Sequence, residues 1–150
     1  MKIAIGTDHN GETIKNEIIA YLENRGHTVS NLSPSNTPLD DYTDYALAVS
    51  KAVVNKEVDY GVLLCGTGIG MSIAANKVPG IRAAHVSNVN EAALSKEHNN
   101  ANIITLSTKN NINDTIKMID VFINTEFKNE DRHVRRLNKI SNYENGTYDV

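Results

Sequence analysis

A single cysteine, Cys65, is all the thiol this chain has, so neither an internal disulfide nor a cysteine-only metal site can form. Long apolar runs are missing too. No window approaches the roughly 20 residues of a membrane span, and the opening run Met1 to Gly6 is too short for a signal peptide. A basic surplus is also absent. Fifteen Lys and Arg stand against 18 Asp and Glu, for a net charge of -3, and no long basic stripe exists, which argues against nucleic acid as the main partner. There is no internal repeat, low-complexity tract or interdomain linker. The expectation is a soluble cytoplasmic protein in which residues 1–150 form one domain. At that size folding buries roughly 70% of the unfolded surface, enough for a core without a disulfide or metal staple.

What is present alternates. Apolar runs predict strands at Lys2 to Thr7, His27 to Leu32, Tyr60 to Leu64, Ile81 to Val86 and Asn102 to Leu106. Between them, helical spacing of apolar residues predicts helices at Thr13 to Asn24, Tyr45 to Val54, Met71 to Asn76, Asn90 to Glu97 and Asn113 to Asn124. A more polar helix is expected from Glu130 to Ile140. Strands alternating with helices of this length specify βαβ units, hence a five-stranded parallel sheet in a three-layer α/β/α sandwich, Rossmann-like, with an extra C-terminal helix. The common order 2-1-3-4-5 is expected, and the Asn-rich loops read as solvated connections.

In such a sheet ligands bind beyond the carboxyl ends of the strands, where the order reverses. That crevice collects the loops after the first and third strands, which carry Asp8-His9 and Cys65 to Gly70. Gly66, Gly68 and Gly70 strip side chains from the second loop, so backbone N–H groups can approach a bound oxygen; a tight turn needing positive φ would use the same glycines. The Rossmann spacing GxGxxG is absent, because Met71 stands at its last glycine, and no Lys-Ser or Lys-Thr pair follows, so nucleotide binding is not supported. Cys65, just before the glycine loop and the helix, is placed where a thiolate is favoured as base or nucleophile; its alternative is core filler. Asp8 and His9 suit acid, base or anion-binding roles, and Asp8 equally suits a turn or cap. Arg132 and Arg136, four apart on one helical face, can hold one phosphate, or can form a solvated basic face together with Arg135. His27 and His85 read as structural, and His133 as solvent-facing.

Read together, Gly6-Thr7-Asp8-His9, Asp41-Tyr42 with Asp44-Tyr45-Ala46, the run Cys65 to Lys77, Gly80-Ile81-Arg82-Ala83, His98-Asn99 and Arg132-His133 with Arg136 resemble the sugar-phosphate isomerases of the ribose-5-phosphate isomerase B type. The resemblance runs from Lys2 to about Ile140. It implies cofactor-free, metal-free interconversion of ribose 5-phosphate and ribulose 5-phosphate through an enediolate. It implies Cys65 as the base, with Thr67 and the N–H groups of Gly66, Thr67, Gly68, Ile69 and Gly70 supporting charge on oxygen. It further implies His98 as the ring-opening acid, Asp8 and Asn99 on sugar hydroxyls, His9, Arg132 and Arg136 on phosphate, and Tyr42 lining the sugar pocket. Lys109 stands where an Arg is common in similar sequences. Ser33 to Pro38 replaces a Gly- and His-containing loop, and Thr43 replaces a Pro. These departures keep allose 6-phosphate, or a place as a galactose-6-phosphate isomerase subunit, open as alternatives. A non-catalytic receiver-like or nucleotide-binding stress module would share the architecture, but a receiver wants an acidic residue where Cys65 stands.

Topology adds one expectation of its own. The helix ending at Glu97 returns to the amino edge of the sheet, which leaves His98-Asn99 roughly 17 to 20 Å, about a strand length, from Cys65. If His98 is catalytic, a second copy must present it, so a homodimer or dimer of dimers with shared sites is expected.

Overall fold

A computed structural model describes residues 1–148. The apolar runs become five parallel strands: β1 (Lys2–Thr7), β2 (Thr28–Asn31), β3 (Tyr60–Cys65), β4 (Ala83–His85) and β5 (Ile103–Ser107). Alternate residues along a strand point to opposite faces, and here both faces are apolar. Ile3, Ile5, Val62, Leu64, Ile104 and Leu106 pack under α1 (Glu12–Asn24), α4 (Val89–Glu97) and α5 (Ile112–Asn124). Ala4, Leu63, Cys65 and Ile103 pack under α2 (Tyr42–Val54) and α3 (Ile69–Ala75). The result is the expected three-layer sandwich. The Cys65 side chain falls on the α2/α3 side, at the carboxyl end of the central strand. Among the described residues, no helix is long and apolar enough to cross a membrane.

The strand order is 2-1-3-5-4, which corrects the expected 2-1-3-4-5. Burial explains the exchange of the last two strands. Ile103, Ile104 and Leu106 of β5 are fully buried, which demands neighbours on both sides, whereas the three residues of β4 are half-buried or exposed and suit an edge. The β1–β3 junction is unaffected, but β5 now lies beside β3, with Cys65 opposite Ser107, so the loop after β5 borders the crevice.

Most element boundaries fall within two residues of expectation; the start of α2, at Tyr42 rather than Tyr45, does not. Helix α3 begins at Ile69, two residues before the expected Met71, so Cys65 is the last residue of β3 and is separated from its helix by Gly66, Thr67 and Gly68. The Asn-rich loops are more than solvated connections. Asn88 and Asn111 cap α4 and α5 through their side-chain oxygens. Asn76 bonds both the N–H and the carbonyl of Ala83 at 2.8 Å, fastening the edge strand. A final helix, α6 (Asp131–Glu144), buries only His133 and extends past the predicted end at Ile140.

Candidate active site

The loops after β1, β3 and β5 meet at the carboxyl edge. Cys65 is 5% exposed, and its Sγ accepts the N–H of Gly68 at 3.1 Å. That bond requires the left-handed turn at Gly68, where φ is +78°; a Cβ there would stand 2.8 Å from the Leu106 backbone. Gly70 is equally constrained, since a Cβ would come within 2.6 Å of the Tyr42 ring. The early start of α2 therefore lays Tyr42, half exposed, against the glycine loop. The Thr67 hydroxyl accepts the N–H of Ile69 at 3.3 Å. Behind the loop, the Ser107 hydroxyl donates to the Gly66 carbonyl (2.8 Å), the Thr108 N–H to the Cys65 carbonyl (3.0 Å) and the Lys109 N–H to the Ser107 hydroxyl (3.1 Å).

On the β1 side, buried Asp8 caps a one-turn 3-10 helix (His9–Gly11), its two oxygens accepting the N–H and the side-chain amide of Asn10, each at 3.0 Å. A Cβ at Gly66 would lie 3.9 Å from the Asn10 amide nitrogen, so this turn abuts the glycine loop. His9, substantially exposed, donates through Nδ1 to Asp40 Oδ1 at 2.8 Å, and its backbone N–H reaches the same oxygen at 3.1 Å. The hydrogen bond to Asp40 raises the His9 pKa above the usual histidine value. Burial alone would push Asp40 up, but hydrogen bonds from Asn36, the His9 ring and backbone, and Tyr45 outweigh it and hold its carboxyl well below the usual carboxylate range. Among the described residues, no group of three or more His, Cys, Asp or Glu side chains could hold a metal ion.

Asp8, His9, Tyr42, Cys65, Gly66, Thr67, Gly68, Ile69, Gly70 and Lys109 thus share one edge. His98, Asn99, Arg132 and Arg136 do not join them. β5 starts beside Gly61 and ends beside Cys65, and the Gly61 N–H donates to the Asn102 carbonyl at 3.0 Å, so the turn following α4 lies at the opposite, amino edge. There the His98 ring stacks on His133, with centroids 4.4 Å apart and planes 14° from parallel. This corrects the expectation that His133 faces solvent: it is 3% exposed, and burial lowers its pKa, helped by neighbouring His98 and Arg132. Arg132 and Arg136, both exposed, flank His133 on α6, and Arg132 donates to Glu130 at 2.9 Å. Asn99 lines a cavity of about 390 Å³ between β4 and α6, with Arg82, Leu137 and Ile140 on its walls.

Sequence reading gave no role to Asp40, which holds His9 from the loop before α2, or to Asn36 of that loop and Tyr45 of α2, which both donate to Asp40. The one signal was the close run of polar side chains from Ser33 to Asp41.

The model of the ribose/galactose isomerase family matches residues 3–140. The chain is 40% identical over 148 residues to the probable ribose-5-phosphate isomerase B of Mycoplasma genitalium, covering 97% of each chain. It is 40% identical over 141 residues to ribose-5-phosphate isomerase B of Escherichia coli, covering 93% of this chain and 94% of that one. Among solved structures, ribose-5-phosphate isomerase B of Clostridium thermocellum matches with a TM-score of 0.93 and 42% identity, over 99% of this chain and 100% of that one. The Mycoplasma genitalium enzyme with bound ribulose-5-phosphate matches with a TM-score of 0.91 and 40% identity, over 96% of each.

Proposed function

Since the chain belongs to the ribose/galactose isomerase family and is an isomerase, we propose that it interconverts ribose 5-phosphate and ribulose 5-phosphate, with Cys65 as the base. The observation that carries this reading is the Cys65 thiol at the carboxyl end of β3, receiving the Gly68 N–H and flanked by the Asp8-His9 turn. In the open-chain aldehyde, Cys65 takes the proton from C2, and electron density moves through the new C1–C2 double bond onto O1. The N–H groups of Gly66 to Gly70 and the Thr67 hydroxyl stabilise that oxyanion. Return of that proton to C1 and transfer of the O2 proton to O1 complete the ketose. Asp8 binds sugar hydroxyls, Tyr42 walls the pocket, and His9 and Lys109 meet the phosphate end.

The remaining groups come from a second copy. His98 protonates the ring oxygen during opening, Asn99 binds a hydroxyl, and Arg132 with Arg136 grips the phosphate in charge-assisted hydrogen bonds. Their position at the opposite edge supports a homodimer with two shared sites. So does the apolar rim on α3, where Ile69 and Ile73, four apart, are 53% and 59% exposed beside the thiol loop.

The test is an isomerase assay of the purified protein with ribose 5-phosphate and allose 6-phosphate in parallel. Turnover of the pentose with a much higher kcat/KM supports the assignment. A preference for the hexose moves the substrate to six carbons, which the altered Ser33 to Pro38 loop makes the relevant competitor, and no turnover of either removes the reading.

A further inference from the structure

We propose that Asp40, held by Lys15 and Asn36, is a positioning residue that keeps His9 doubly protonated, so that its outer ring nitrogen presents a hydrogen-bond donor to the substrate phosphate. The proposal rests on the isomerase reading above and deepens its phosphate end.

The geometry is a relay from the core to the surface. Lys15 is 2% exposed, and its ammonium donates to the Ser33 carbonyl and, at 3.1 Å, to Asn36 Oδ1. Because an ammonium only donates, the Asn36 amide is fixed with its NH2 turned the other way, onto Asp40 Oδ2 and the Thr7 carbonyl, each at 2.8 Å. Tyr45 adds a second donor to Asp40 Oδ2 at 3.0 Å. That oxygen is therefore saturated, and Oδ1 is left for His9, taking both its backbone N–H and its ring Nδ1.

A carboxylate cannot donate, so Nδ1 must carry a proton at all times. The neutral ring would then expose Nε2 as a bare lone pair, which repels a phosphate oxygen. Only the imidazolium offers an N–H there. Asp40 settles the tautomer against phosphate and, by its charge, favours the second proton that restores the donor. The charged and titratable groups facing this ring are Asp40 from the loop before α2 and Asp8 from its own turn. Tyr45 of α2 and Lys15 of α1 stand behind Asp40. Both carboxylates favour the cation, consistent with the raised His9 value.

The experiment compares wild type, Asp40→Asn, Asp40→Glu, His9→Gln and the double variant Asp40→Asn/His9→Gln, each checked for native circular dichroism. In Asp40→Asn the KM for ribose 5-phosphate should rise about tenfold with kcat within about threefold, as for loss of binding common to ground and transition states. The pH at which KM climbs should move down, because the second proton is lost earlier. Asp40→Glu should recover part of both effects. In the His9→Gln background, Asp40→Asn should add almost nothing to KM, since it acts through the ring. An equal KM penalty with and without His9 overturns the proposal, as does an unshifted pH profile. NMR titration of the His9 ring needs no turnover: an equal midpoint in wild type and Asp40→Asn overturns the proposal even if the protein folds poorly enough to confuse kinetics. Should wild type fail to isomerise ribose 5-phosphate, the substrate reading falls by itself. Titration with inorganic phosphate then decides the relay, weaker binding by Asp40→Asn supporting it and equal binding refuting it.

Discussion

The two edges of the sheet are built by opposite means. At the carboxyl edge, polar groups are tied inward: Asp8 to Asn10, Asp40 to four neighbouring residues, Cys65 to Gly68. Asp8 and Cys65 are positioned by β1 and β3, whose central residues are fully buried, and Asp40 by the hydrogen bonds it receives. At the amino edge, His98, Arg132 and Arg136 rest on a helix end and on an appended helix, and the one buried anchor is the His98–His133 stack. On the mechanism proposed above, the difference teaches that proton transfer, which tolerates little misplacement, would be assigned to the rigid edge. Ring opening and part of the phosphate grip would fall to groups that complete their geometry on contact with a second copy.

The largest expected effect breaks the rigid edge chemically. Cys65→Ala should lower kcat by roughly 10²- to 10⁴-fold with the melting temperature nearly unchanged, and an active Cys65→Ala enzyme would remove the thiol from the mechanism. Joining the two edges across copies is the next test. Mixed Cys65→Ala and His98→Ala chains should regain roughly one quarter of wild-type activity, because half of the dimers are hybrids with one intact site each. Activity no higher than either parent would refute sharing. Gly68→Ala breaks the rigid edge sterically. Positive φ and the approach to the Leu106 backbone predict a loss of about 2 kcal/mol or more in urea unfolding, with the thiol loop displaced. A neutral result would mean the loop adapts.

The smallest effect lies in pH and separates the edges by sign. His133 has a lowered value in the fold, so as pH falls through about 6.5 the unfolded chain takes up its proton first and stability declines. His9 has a raised value, so its contribution is complete in acid, below about 6.5, and is lost as pH rises through the raised folded value. Melting temperature between pH 5 and pH 7, about 6 at the midpoint, should therefore slope less in His133→Phe, and more steeply in His9→Gln, than in wild type. Identical slopes would show that neither histidine is coupled to folding.

Much of this was legible in the sequence because it is local. The run Lys2 to Thr7 and the Tyr60 strand announce themselves by continuous burial, and Gly68 by the turn it permits. Strand order was not, since neighbours in a parallel sheet are chosen by which strand most needs two covered edges, a competition between β4 and β5 rather than a property of either. Asp40 was invisible for the related reason that its partner His9 lies 31 positions away. The burial of His133 ran against composition: a polar helix hides one residue, and periodicity cannot tell which.

In the proposed homodimer, α6, which buries only His133 against its own subunit, would gain its remaining support from the second copy, and its arginines would reach the shared site only while that copy is docked. Specific activity should then fall on dilution, with KM rising before the fold is lost, and the catalyst becomes self-limiting at low copy number by mass action alone.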